Sequence, residues 1–188
     1  MDDEGNLFVA SGTENKVFKF DPSANPPLNS DLVATFQDDR SICELAAGAG
    51  STAGSLFASI WDPEDLGDSA LELDTTDLSF KRVVDHDEVT HLSVDPSTGE
   101  LYVVSAATNG PGQSLKNYMV KQLDVSGGVN LRSATPLSPL DNPSGTTAGI
   151  ASFGGEFYVT NIESTKVLAY GPLAVSYTHL RAHETRHD

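Results

Sequence analysis

Gly5-Asn6-Leu7-Phe8-Val9 returns three times along this chain, as Gly54-Ser55-Leu56-Phe57-Ala58, Gly99-Glu100-Leu101-Tyr102-Val103 and Gly155-Glu156-Phe157-Tyr158-Val159, at intervals of 49, 45 and 56 residues. Each copy places a glycine, which enters left-handed backbone at no steric cost, before apolar and aromatic residues suited to a strand. A second apolar run follows each copy, at residues 17–20, 71–73, 120–123 and 167–170. Self-similarity at a period of this length predicts a repeat architecture.

The units fill in around that core. The second predicts four strands, at 42–46, 56–60, 70–73 and 78–84. The third predicts 89–94, 101–105, 118–123 and a weaker edge near 131–134, its first two strands joined by the turn Asp95-Pro96-Ser97-Thr98-Gly99-Glu100. In the first unit Asp3-Glu4-Gly5-Asn6 leads to strands at 7–10, 16–20 and 32–36, and Lys16-Val17-Phe18-Lys19-Phe20 alternates with the strand period of two. The fourth supplies 149–153, 157–160 and 167–170. No amphipathic helix of three turns can be drawn within residues 1–174. Four consecutive strands joined by turns make one blade of a β-propeller. The expected fold is all-β: an open, partial β-propeller of about three and a half four-stranded blades, at about 1–37, 38–85, 86–136 and 137–174.

Ser93-Val94-Asp95-Pro96-Ser97-Thr98-Gly99-Glu100-Leu101-Tyr102-Val103-Val104, with the later Lys166-Val167-Leu168-Ala169-Tyr170-Gly171-Pro172, resembles the NHL-repeat β-propellers of bacterial secreted and surface proteins. The resemblance covers about residues 1–173. It implies an extracellular or cell-surface location. It leaves function open, because related propellers serve as scaffolds, ligand sensors, lactonases and lyases.

Both ends of the chain depart from the pattern. Only Met1 and Asp2 stand where the first unit needs an opening strand, so the expectation is a fragment whose preceding sequence is missing. Residues 175–185 resemble the codon-by-codon translation of a transposon-type adapter used in metagenomic sequencing libraries, so residues 175–188 are expected to be a non-native tail. The tail holds His179, His183 and His187, whose spacing of four would align them on one helical face and invite a zinc or nickel reading. That reading is set aside with the tail. An open arc exposes blade faces and strand edges that neighbours should cover, so the isolated chain is expected to aggregate or stay partly unfolded.

Composition bounds the function. With 188 residues, 38% of them apolar, the chain can bury one sizeable core. Its 27 acidic against 11 basic residues give a net charge of -16, the wrong sign for a nucleic-acid or anionic-membrane surface. No run approaches the roughly eighteen apolar residues of a membrane helix, and Met1-Asp2-Asp3-Glu4 begins no signal peptide. The lone Cys43 excludes an internal disulfide and, within an apolar run, is expected to be a buried thiol.

Blade topology puts the glycine turns on one side and the loops between second and third strands on the other, beside the crossovers between blades. That second side varies in length. From the leading glycine to the end of the third strand the separation is 15 residues in units one and four, 19 in unit two and 24 in unit three. The insertions carry Trp61-Asp62-Pro63-Glu64-Asp65 and Asn109-Gly110-Pro111-Gly112-Gln113, and the crossovers carry Asp38-Asp39-Arg40 and Asp85-His86-Asp87-Glu88, with His91 just beyond. Long loops with an aromatic and convergent polar groups are the default binding site. Trp61, Asp62, Arg40, His86, His91, Asn109 and Gln113 are therefore the candidate ligand-binding residues. The plainer alternative is solvated loop tips with Trp61 packed over a blade edge.

Asp85, Asp87 and Glu88 carry the hard oxygens calcium prefers, but their spacing fits no EF-hand loop and a solvated charge run is the simpler account. His86 or His91 would be a general base if it had a partner, and none is visible. No Gly-x-Ser-x-Gly elbow occurs. No catalytic residue, metal ligand or cofactor is assigned, calcium being the one cofactor weighed. The expectation is a non-enzymatic recognition module for a protein, glycan or small ligand, or a structural repeat scaffold. The alternative is a calcium-assisted propeller lactonase or lyase whose site lies partly in missing blades.

Overall fold

The computed structural model describes residues 1–2, 4–21, 32–61, 69–107, 117–137, 147–161, 167–171 and 178–180. They form four antiparallel sheets. The first holds β1 (Leu7–Ser11), β2 (Lys16–Phe20) and β3 (Leu32–Gln37). The second holds β4 (Ser41–Ala47), β5 (Ser55–Trp61), β6 (Ser69–Asp74) and β7 (Phe80–Asp85). The third holds β8 (Glu88–Val94), β9 (Leu101–Ala107), β10 (Asn117–Asp124) and β11 (Asn130–Pro136). The fourth holds β12 (Thr147–Phe153), β13 (Glu156–Asn161), β14 (Val167–Tyr170) and β15 (Thr178–Leu180). Within each sheet the strands neighbour one another in chain order.

The repeated glycine begins the hairpin in every sheet. Gly5, Gly54, Gly99 and Gly155 all have φ between 77° and 85°, the left-handed region that the following strand's turn requires. Among the described residues the first sheet has three strands. The fourth gains an unanticipated one: Thr178–Leu180, within the stretch read as a tail, pairs with Val167, Leu168 and Ala169. Outer-edge pairing runs through backbone N–H and C=O groups and makes no demand on the side chains.

The sheets stack side by side. β4 packs against β1, β8 against β4 and β5, and β12 against β8 and β9, so the first strands stand together at the inner edge while the later strands fan outward. Three apolar clusters fill the gaps. Leu56, Ala58, Ile60, Leu71 and Leu73 pack with Val17 between the first two sheets. Phe57, Ala70 and Val84 meet Leu101, Val103 and Leu123 between the second and third. Tyr102, Val104 and Val120 meet Phe157 and Val159 between the third and fourth. The second strand of an interior sheet is thus buried on both faces, which is why it reads as a continuous apolar run rather than an alternation.

Polar links cross the same gaps. Fully buried Asp95 accepts hydrogen bonds from Ser97 N (2.8 Å), Ser97 Oγ (2.6 Å) and, in the next sheet, Gly155 N (2.6 Å). Thr52 Oγ1 donates to Gly99 O at 2.9 Å, Ser152 N to Ser93 Oγ at 3.1 Å, and Arg82 Nη2 to Val125 O. Lys19 Nζ crosses from the first sheet to Thr76 O at 3.2 Å.

Candidate functional site

Trp61 ends β5 and stands directly opposite Ser41, the first residue of β4. It is 49% exposed. Arg40, which precedes Ser41, grips Asp38 with two parallel bonds, Nε to Oδ1 at 2.8 Å and Nη2 to Oδ2 at 3.0 Å. The Arg40 guanidinium outweighs partial burial and holds the Asp38 carboxyl below its ordinary range. Asn15 Nδ2 donates to Asp39 O at 3.2 Å, and Ser41 Oγ to Gly12 O at 3.3 Å. The crossover 38–40 is thereby tied to the turn at 12–15.

The next crossover is built differently. Lys121 Nζ reaches from β10 to Asp85 (Oδ2, 2.8 Å) and Asp87 (Oδ2, 2.5 Å). Burial works against the ammonium charge, but the hydrogen bonds to the two carboxylates win and its pKa lies above the ordinary lysine value. Asp85 and Asp87, weighed above as calcium oxygens, converge on a lysine. Among the described residues no group of three or more His, Cys, Asp or Glu side chains is placed to hold a metal ion. His86 lies exposed between them on the loop-rich side.

His91 is not with Trp61. It lies on inner strand β8, with Nδ1 3.3 Å from Glu44 Oε2 of β4, and that same oxygen accepts Leu92 N at 2.8 Å. A partner for His91, which the sequence reading did not find, is therefore present. The signal was available: Glu44 and His91 stand at the same place in successive units. Asp62, Asn109 and Gln113 lie outside the described residues.

A second feature escaped the sequence. The register slips by one residue between Ile42 and Glu44, between Val89 and His91, and between Thr147 and Gly149. These are equivalent positions, so a β-bulge recurs on the first strand of three sheets. A bulge re-aims side chains and often sits at functional rims. It also corrects the expectation for Cys43, which is the skipped residue of the first bulge and is exposed rather than buried. The physical reason is the bulge, which leaves Cys43 out of the paired register while its neighbour Ile42 stays buried.

No family model matches the chain, and no curated protein does. Solved structures do. The chain aligns with hydrazine synthase of Kuenenia stuttgartiensis at 14% identity, over 87% of this chain and 48% of that one, with a TM-score of 0.62. A gluconolactonase of Xanthomonas campestris matches at 16% identity over 92% and 57%, TM-score 0.58. The propeller of Dos1 matches at 11% identity over 89% and 52%, TM-score 0.54. The chain is part of a β-propeller. It spans about half the length of the chains it matches, and its four antiparallel sheets form a partial propeller. At these identities the likeness is one of fold.

Proposed function

We propose that the chain is a non-enzymatic propeller module of the NHL-repeat type, extracellular or at the cell surface, that recognises a protein, glycan or small ligand on its loop-rich side. The supporting observation is the half-exposed Trp61, which pairs with Ser41 directly after the Arg40–Asp38 pair. An indole offers an apolar face for a sugar ring or an apolar side chain, and a neighbouring guanidinium supplies fixed donors. Trp61 is the only tryptophan, so its fluorescence reports directly on this rim. A panel of oligosaccharides titrated against the chain should shift that emission, and Arg40→Ala should weaken the response about tenfold. If no glycan perturbs Trp61, the glycan form of the reading falls.

A second reading, a calcium-assisted lactonase or lyase, draws on the gluconolactonase likeness and on the Glu44–His91 pair at the channel wall. Millimolar calcium should then raise the melting temperature, and Glu44→Gln should abolish the rise. An unchanged melt removes it.

A further inference from the structure

Two serines enter the apolar gap between the second and third sheets, one from each wall. On β5, Ser59 alternates with Phe57 and stands opposite Ala70 of β6, and Phe57 and Ala70 both belong to the cluster that fills this gap. On β9, Ser105 alternates with Val103 and stands opposite Val89 of β8, again two members of that cluster. Side chains two apart on a strand share a face, so both serines point into the gap. Each is 0% exposed, and neither Oγ has a hydrogen-bond partner among the described residues.

Counted from the repeated glycines Gly54 and Gly99, Ser59 is the equivalent of Val104, and Ser105 the equivalent of Ile60. Val104 and Ile60 are also 0% exposed, packed in the other two clusters. These positions therefore accept branched aliphatic side chains. A hydroxymethyl group is shorter than either, so both exchanges leave space in the same gap. Polar groups already cross it at this level. Glu44, opposite Ser59 on β4, accepts Leu92 N at 2.8 Å, and Asp85, opposite Ala70 on β7, accepts Lys121 Nζ at 2.8 Å. Ser59 and Ala70 lie in the middle of that row.

We infer that the gap between the second and third sheets holds internal water, bound by the hydroxyls of Ser59 and Ser105. Water is the occupant for three reasons. Nothing larger reaches two side chains of zero exposure. A hydroxyl offers one donor and two acceptor sites, and leaving them unmade in an apolar gap is costly, whereas an apolar filler would satisfy none of them. A buried water takes about 30 Å3 and makes about three hydrogen bonds, and the Glu44 carboxylate, beside Ser59 in the register, is available as a further acceptor.

Magnetic relaxation dispersion of the water signal, which counts long-lived internal waters, tests this on the 188-residue chain. Restoring the aliphatic residues of the equivalent positions, Ser59→Val together with Ser105→Ile, should lower the dispersion amplitude by about one water or more. Ser59→Ala and Ser105→Ala change less volume, and far-ultraviolet circular dichroism checks that each keeps its strands. Each should lower both the amplitude and the urea midpoint, because it takes a hydrogen bond from the water. A hydroxyl with no partner has the opposite signature, since its removal raises the midpoint. Ser133→Ala, on outer strand β11, should leave the amplitude unchanged. An unchanged amplitude in the double variant, or a raised midpoint in either alanine variant, would overturn the inference. If the double variant does not fold, the amplitude and midpoint of the two alanine variants decide.

Discussion

Gly99 and Gly54 stand at the same point of successive repeats, with φ of 77° and 85°, yet they are not equally replaceable. A Cβ on Gly54 meets nothing within 4 Å, whereas one on Gly99 comes to 2.4 Å from Ala49 O of the preceding blade. Gly54→Ala should cost about 1–2 kcal/mol, the penalty of left-handed backbone, and Gly99→Ala about 1–3 kcal/mol more for the forced shift between blades. Urea denaturation of the two variants side by side checks the difference. Asp95 is the other residue whose role depends on the neighbouring blade. Burial raises its pKa, but hydrogen bonds from Ser97 and from the backbone of Gly155 outweigh that and hold it below 3.8. A lowered folded pKa contributes stability that is complete above about pH 4 and is lost as the pH falls through the folded value. Asp95→Asn should therefore cost about 1–3 kcal/mol at pH 7, and its difference from the unaltered chain should shrink as the pH drops below the ordinary carboxylate value. A constant difference from pH 7 to pH 2.5 would contradict the assignment.

The second strand of each blade is the element on which packing depends. Phe57 on β5 is fully buried against β8, β9 and β10 of the next blade, so Phe57→Ala should cost about 3–5 kcal/mol. The strands were readable because glycine turns and apolar runs are local signals, as is the Asp21-Pro22 that ends β2. Lys16–Phe20 and Val167–Tyr170 have the bounds their sequence predicts. The bulges were not readable, since a slipped register belongs to a pair of strands and leaves no mark on either one. The exposure of Cys43 follows from the same cause. Ion pairs divide in the same way. Lys121 and Asp85 are largely buried between blades and should show a coupling of about 1–3 kcal/mol in a double-mutant cycle. Lys16 and Glu14, exposed within one hairpin, should show less than about 0.5 kcal/mol.

The molecule as a whole is an arc of blades held by three apolar clusters and laced by polar links from each blade to the next. Its acidity belongs to the arc, since the residues read as a tail are balanced in charge. Self-repulsion at -16 opposes compaction, so moderate monovalent salt should raise the melting temperature of the chain. A melt unaffected by salt would mean that the carboxylates are already locally paired. The candidate rim was half visible in the sequence: loop length singled out Trp61, and the crossovers singled out Arg40, which precedes the residue paired with Trp61, and His91, which the fold directs to Glu44. Local chemistry settled the four repeats, the strands and the side on which loops lengthen, because glycine backbone and strand periodicity act over a few residues. Packing between blades settled the rest. Leu92 meets Glu44 across 48 residues of chain, Lys121 meets Asp85 across 36 and Gly155 meets Asp95 across 60, and only the stacking of blades determines which side chains those distances bring together.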